Sequence, residues 1–272
     1  LLIGIDPATA LFTAGLGTFL FHFLTKGKVP IFLGSSFAFI APIIAASKQW
    51  GLPGTIAGLT SVSLGYFVMS ALVKWQGKRL LDRIFPPIVI GPAIILIGLS
   101  LSGSAVNMAK TNWILAFAVL IKAILVLTFC RGLMKLVPII TGVVVGYVLA
   151  IAMGEVDFSG VIAAPWISCP VSFDTLSHFS WGPFIYMLPV AIAPVLEHIG
   201  DVYVVSAVAD KDFVKEPGLH RTMLGDGAAC LASAVLGGPP ETTYSEVTGA
   251  MSITKVTSPV VIRIAAATAI CF

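Results

Sequence analysis

The chain has 272 residues, of which 57% are hydrophobic and 11% are charged, and its mean hydropathy is +1.00. A soluble domain carries roughly 25% charged residues, so this composition excludes a soluble globular protein and predicts a membrane protein. The formal net charge of +3 is too small to indicate a nucleic acid or another acidic partner.

Ten apolar stretches follow one another along the chain. Eight are continuous and close to the ~20 residues that a helix needs to cross a bilayer, at 8–25, 55–73, 85–102, 112–130, 136–153, 183–205, 222–237 and 256–272. Two more, at 31–47 and 239–254, are interrupted. The sequence begins without Met, stops inside an apolar run and shows no signal peptide, so we expect a fragment that enters the membrane through its own spans.

The lysines and arginines predict the orientation of these stretches, because cytoplasmic loops hold an excess of them. If the first stretch ends inside, the inside loops hold Lys26, Lys28, Lys74, Lys78, Arg79, Arg83, Arg131, Lys135, Lys211, Lys215, Arg221 and Lys255. The outside loops then hold Lys48 and Lys110, and the long outside loop at 154–182 has no lysine or arginine. This alternation requires both interrupted stretches to cross, so it predicts ten crossings.

The interrupted stretches share a pattern. Residues 30–42, "PIFLGSSFAFIAP", and 239–251, "PPETTYSEVTGAM", each begin with proline and continue through small and hydroxyl residues into an apolar run. Broken helices in corresponding positions mark the substrate site of many transporters, often within inverted repeats. They are the second and ninth of ten passes, which gives them opposite topology. The alternatives are a helix contact of small residues at 30–42 and a re-entrant loop without chemical function at 239–251.

Acidic residues inside the apolar stretches are candidates for a functional site. A carboxylate at the middle of a bilayer costs ~2.5 to 3.5 kcal/mol even on insertion scales. Glu197 and Asp201 are four residues apart and therefore share one helix face, where their repulsion favours a carboxyl group that holds and releases a proton. The alternative is a carboxylate paired with His198 or Arg263. Asp226 is expected to be a packing or helix-end residue.

Glu246 lies where the second interrupted stretch resumes as helix, and a helix start favours negative charge. Glu197 and Glu246 can accept N–H groups from a small ligand, while backbone N–H groups near Tyr244 and Ser245 can donate to its carbonyls. Phe37 in the other interrupted stretch can stack on a flat ring. The set predicts a planar, neutral heterocycle as ligand, with no catalytic residues, no metal site and no cofactor.

Four segments in this order, "KGKVPIFLGSSFAFIAPI", "APVLEHIGD", "EPGLHRTM" and "TTYSEVTGAMSITK", are similar to those of the nucleobase-ascorbate transporter family. The chain resembles this family over essentially its whole length and its uracil permeases most closely. The resemblance implies an all-α polytopic membrane protein with two inverted repeats of seven helices. We therefore expect about ten of fourteen helices here, with short antiparallel strands around 31–35 and 240–245.

The resemblance also implies a division into domains. Residues 1–84 and 183–272 would belong to the core domain, as parts of the first and second repeats. Residues 85–153 would belong to the gate domain, and 154–182 would be the external loop. A bacterial inner membrane is the expected location, with membrane lipid as a partner and a homodimer among the assemblies that the family allows.

The resemblance assigns substrate contacts to Phe37, Glu197, Glu246 and the backbone at Tyr244 and Ser245. Purine-transporting relatives tend to have Gln at the position of Glu246, which favours uracil import by ion symport over purine transport. Asp201 occupies a position that is His in one branch, and with Glu197 it is expected to couple transport to protons, with sodium as the alternative. Val247 lies directly after Glu246, at a position where members of the family commonly have Asn.

An anion exchanger or channel of similar architecture is the other alternative. An anion carrier should have a basic group at the broken helices, and the interrupted stretches have no lysine or arginine.

Overall fold

The computed structural model describes residues 4–77, 87–132, 134, 137–159, 170–171 and 174–272. Its helices are α1 (Pro7–Leu24), α2 (Ile40–Gly58), α3 (Thr60–Gln76), α4 (Pro87–Ala109), α5 (Trp113–Phe129), α6 (Pro138–Ala152), α7 (Trp181–Met187), α8 (Ile192–Ala209), α9 (Leu219–Val235), α10 (Ser245–Thr254) and α11 (Pro259–Cys271). Its strands are β1 (Leu33–Ser35) and β2 (Glu241–Thr243). Each of the eight continuous apolar stretches overlaps at least one of these helices, in this order. The stretch 55–73 includes the end of α2 and most of α3, and 183–205 includes parts of α7 and α8.

Some predicted features fall outside the described residues. These are Lys78, Arg79, Arg83 and Lys135 of the predicted inside loops, and residues 160–169 and 172–173 of the predicted external loop.

Among the described residues, two helices have the length and apolar composition to cross a membrane, namely Pro7–Leu24 and the continuous run Trp181–Ala209. Phe37–Gly58 and Thr60–Gln76 qualify together as a third, bent by 45°. The apolar helices α5, α6 and α11 are shorter, at 10–17 residues. Ten crossings therefore stay a prediction from the loop charges.

Local sequence explains where the first helices begin and bend. Asp6 caps α1 by accepting the Ala8 N–H at 2.8 Å, and Pro7 at the first position needs no hydrogen bond. Within α2, Gly51 has φ 71° and ψ 166°, which only glycine adopts readily. Pro53 follows within the same helix. The predicted gap between 47 and 55 is thus a kink inside α2.

The two strands form one antiparallel pair, with Leu33 opposite Thr243, Gly34 opposite Thr242 and Ser35 opposite Glu241. Ser36 N–H donates to Pro240 O at 3.2 Å beyond one end, and Tyr244 N–H donates to Phe32 O at 3.1 Å beyond the other. All three residues of β2 are buried. The strand pair provides hydrogen-bond partners for backbone N–H and C=O groups that would be paired within a helix if the helix were not interrupted here. The short antiparallel strands expected around 31–35 and 240–245 are confirmed.

The chain divides into two compact units, one of residues 1–101 and 170–272 and one of residues 102–169. In the first, α1 and α3 pack against α9, and their buried side chains surround the strand pair. In the second, α5 packs against α6, where Gly142 and Gly146 face Val119. Small residues of this kind allow close approach between apolar helices.

Candidate substrate site beside the strand pair

The segment after β2 exposes the start of a helix. Tyr244 precedes α10, and its carbonyl accepts the N–H groups of Val247 at 3.1 Å and Thr248 at 3.3 Å. The N–H groups of Ser245 and Glu246, at the first turn, have no intrahelical acceptor because no helical residue precedes them. The start of α10 therefore offers hydrogen-bond donors and a positive end of the helix dipole.

Three acidic side chains converge at this helix start. Glu197 and Asp201 lie one turn apart on α8, and α8 contacts α10. The Ser245 hydroxyl lies 2.9 Å and 2.8 Å from the two carboxylate oxygens of Asp201, to which it donates. Asp201 and Glu246 are both close enough to Glu197 to interact with it electrostatically. The structure thus brings together four of the predicted site residues.

The exposure of these residues differs. Asp201 is buried, with 8% of its surface exposed, and Glu197 is partly buried. Ser245 and Glu246 are exposed at the first turn of α10. Glu197, Ser245 and Glu246 therefore retain exposed surface where α8 contacts α10.

Phe37 and Tyr244 occupy the ends of the two strands. Phe37 begins a short 3₁₀ helix capped by Ser36, and 51% of its surface is exposed. In the part of the chain that the structure describes, none of the ring contacts or side-chain hydrogen bonds joins Phe37 to the acidic group. Tyr244 packs its ring over Gly34 of β1. The structure therefore places the Tyr244 ring against the strand pair. It places Phe37 at the start of the 3₁₀ helix that leads into α2.

Gly34→Ala should destabilise the protein, because the new Cβ would lie 2.6 Å from Cδ2 of the Tyr244 ring. Overpacking of this kind costs about 1 to 3 kcal/mol. Thermal unfolding of the purified full-length protein measures the effect. Gly249→Ala is the matched control, since a Cβ there meets nothing within 4 Å. Equal stability of the two variants would contradict the packing of Tyr244 on β1.

A buried polar network lies behind the acidic group. His198, next to Glu197 on α8, has Nδ1 2.8 Å from Asp226 Oδ2 and Nε2 2.9 Å from the Thr222 hydroxyl. Asp226 also accepts the backbone N–H of Thr243 at 3.2 Å, and His198, Asp226 and Thr222 have no exposed surface. The network ties α8 and α9 to β2 and so fixes the position of Glu197 relative to the segment that leads to Glu246.

This network corrects one of the alternatives drawn from the sequence. That alternative paired Glu197 or Asp201 with His198 or Arg263, but the carboxylate partner of His198 is Asp226. Asp226 was predicted to be a packing or helix-end residue. It lies in the middle of α9, where it is buried and hydrogen-bonded to His198, so it is a packing residue and not a helix-end residue. No sequence pattern indicated this pair, because positions 198 and 226 are brought together only by the packing of α8 and α9.

The sequence matches the model of the Permease family over residues 5–272. It is 48% identical to a probable uracil permease of Haemophilus influenzae, with 99% of this chain and 67% of the relative covered. It is 44% identical to a uracil permease of Bacillus caldolyticus, with 100% of this chain and 66% of the relative covered. The chain thus spans about two thirds of the length of these curated relatives.

The fold resembles a solved structure, the transmembrane domain of the cyanobacterial bicarbonate transporter BicA. The TM-score is 0.61, with 97% of this chain and 77% of that chain covered. The sequence identity is 13%, so the likeness concerns the fold alone.

Proposed function

The chain belongs to the permease family that matches residues 5–272, the nucleobase-ascorbate transporters, and we propose that it imports uracil across a bacterial inner membrane by ion symport. The family resemblance seen in the four sequence segments is confirmed. The chain is accordingly part of a multi-pass membrane transport protein and not an enzyme.

The observation that carries this proposal is the convergence of Glu197 and Glu246 beside the start of α10. Uracil is a flat ring that alternates N–H and C=O groups. The two carboxylates can accept its N–H groups, and the backbone N–H groups of Ser245 and Glu246 can donate to its carbonyls. Phe37, at the start of the helix after β1, would stack on the ring once it is bound.

We assign ion coupling to Asp201, with Glu197 as its partner. Asp201 is buried and is held by the Ser245 hydroxyl, which belongs to the same helix turn as Glu246. A change in the charge of Asp201 would alter this hydrogen bond and hence the position of the α10 start. Protonation and substrate binding are therefore linked through one side-chain contact.

The strand pair supports the proposal of inverted repeats. The hydrogen bonds beyond its two ends, Ser36 to Pro240 and Tyr244 to Phe32, are equivalent to one another, and each strand follows one long helix and precedes another. We propose that 1–84 and 183–272 form the core domain, that 85–153 belong to the gate domain and that 154–182 form the external loop.

Uptake of labelled uracil by cells or vesicles that contain the full-length protein tests the function. We expect uptake above that of empty vesicles, with excess unlabelled uracil competing and xanthine not competing. Uptake of xanthine in preference to uracil would replace the proposal by a purine permease. Uptake of neither base would reject nucleobase transport.

Asp201→Asn should weaken the dependence of uptake on the proton gradient more than it weakens equilibrium binding of uracil. The substitution keeps an oxygen that accepts the Ser245 hydroxyl but removes the charge. The measurement compares uptake with and without an uncoupler, in the parent and the variant. Uptake that follows sodium at fixed pH and ignores the uncoupler would exclude proton coupling.

A further inference from the structure

Glu241, the first residue of β2, is a buried acidic residue that the proposed transport mechanism does not use. Its surface is 0% exposed. Its Oε1 atom lies 3.0 Å from the Thr13 hydroxyl of α1 and 3.4 Å from the Ser233 hydroxyl of α9. Its Oε2 atom has no hydrogen-bond partner among the residues that the structure describes. A polar atom without a partner at this depth requires an explanation.

The two hydroxyls near Glu241 have other acceptors. Each hydroxyl carries one hydrogen. Thr13 Oγ1 lies 2.9 Å from Thr9 O, the carbonyl one turn earlier, to which a helical threonine commonly donates. Ser233 Oγ lies 2.5 Å from Pro239 O, which is much closer than its 3.4 Å to Glu241. A hydroxyl that gives its one hydrogen to the backbone carbonyl presents a lone pair to the carboxyl group of Glu241, so Glu241 competes with two backbone carbonyls for these hydrogens.

An ionised carboxylate can only accept hydrogen bonds. In this site its Oε1 would compete with backbone carbonyls for the hydroxyl hydrogens, and its Oε2 would have no donor among the described residues. A protonated carboxyl group can instead donate its O–H to a hydroxyl lone pair, which leaves Oε2 as an uncharged carbonyl oxygen. Burial of an unpaired ion is also far more costly than burial of a neutral acid. The surroundings of Glu241 therefore favour its neutral form.

The titratable groups around Glu241 add no positive charge. On α9, Asp226 and Cys230 face it, and Cys230 donates its thiol hydrogen to the backbone carbonyl of Glu241 at 2.8 Å. Tyr244 follows along the chain, and α1 contributes Thr13, which does not titrate. In the described part of the chain, Glu241 takes part in no ion pair.

We propose that Glu241 is a proton-binding site, in which β2 holds one proton on a neutral carboxyl group between α1 and α9. Loss of that proton leaves a buried carboxylate whose Oε2 has no donor among the described residues, so it requires β2 to move or water to enter. Because β2 continues directly into Tyr244 and Glu246, the proton on Glu241 is linked to the position of the substrate segment. Only this last step rests on the proposed function.

Infrared spectroscopy of the purified full-length protein tests the site. The C=O stretch of a protonated carboxyl group is separate from the bands of an ionised carboxylate. We expect the spectrum of the parent minus that of Glu241→Gln to contain the protonated band at about pH 7, where an unperturbed glutamate is ionised. Glu155→Gln, at an exposed position, is the matched control and should remove an ionised carboxylate band instead.

A second variant keeps the test decisive if Glu241→Gln does not fold. Thr13→Val removes the hydroxyl at 3.0 Å and should shift the frequency of the same protonated band. Loss of an ionised carboxylate band in Glu241→Gln, or an unshifted band in Thr13→Val, would overturn the proposal. No uptake is measured here, so a negative result leaves uracil transport standing, and a failure of uracil uptake leaves the proton site standing.

Discussion

Glu246→Gln should lower the affinity of the full-length protein for uracil by about fivefold to about a hundredfold. The substitution keeps the size of the side chain but replaces one acceptor oxygen by an amide donor, so that a ring N–H of uracil meets another donor. An unsatisfied buried polar group costs ~1 to 3 kcal/mol, and each 1.4 kcal/mol corresponds to about tenfold in affinity. Equilibrium binding of labelled uracil to the purified protein measures this loss.

Three further variants define the origin of the effect. Glu197→Gln should weaken binding to a similar extent, since it makes the same change in the second carboxylate. Phe37→Ala should weaken binding without altering its pH dependence, because it removes a ring and no charge. Glu155→Gln makes the same chemical change on an exposed loop and should bind uracil like the parent. Parental affinity in Glu246→Gln would show that this carboxylate is structural.

The sequence predicted the local structure well because each local feature had a local cause. The apolar stretches, the prolines at 30 and 239 and the runs of small and hydroxyl residues lie close together along the chain. They predicted the helices and the two interruptions, whereas the strands, observed at Leu33–Ser35 and Glu241–Thr243, were implied by the family resemblance. The approach of Glu197 to Asp201 could also be predicted, since both lie on one helix face.

The buried network could not be predicted from the sequence in the same way. His198 is adjacent to Glu197, and the sequence offered a pairing within the same helix only as an alternative. The His198 side chain instead meets Asp226 of α9. Glu241 lies within the motif that contains Glu246, but its burial between α1 and α9 depends on helix packing across the whole core unit. The tertiary fold therefore decides that Glu241 is buried while Glu246, five residues later, is exposed.

Asp226→Ala should lower the free energy of unfolding by about 3 to 5 kcal/mol, the usual cost of removing one partner of a buried pair. The substitution removes the acceptor for His198 Nδ1 at 2.8 Å and for the backbone N–H of Thr243 at 3.2 Å. It also removes the acceptor for the Thr243 hydroxyl at 3.2 Å. These donors are buried, and water cannot replace the lost oxygen without opening the contact between α9 and β2. Denaturant or thermal unfolding of the purified full-length protein measures the loss.

Asp226→Asn separates the contribution of shape from that of charge, since it retains one oxygen that can accept from His198 or from Thr243. Its loss of stability should therefore be smaller than that of Asp226→Ala. Asp212→Ala makes the same change at an exposed ion pair with Lys215 and should leave unfolding unchanged within error, as exposed ion pairs contribute little. Should Asp226→Ala unfold like Asp212→Ala, the network does not hold β2 in place. The position of Glu246 relative to Glu197 would then depend on the remaining contacts, such as that between Ser245 and Asp201 and the pairing of β2 with β1.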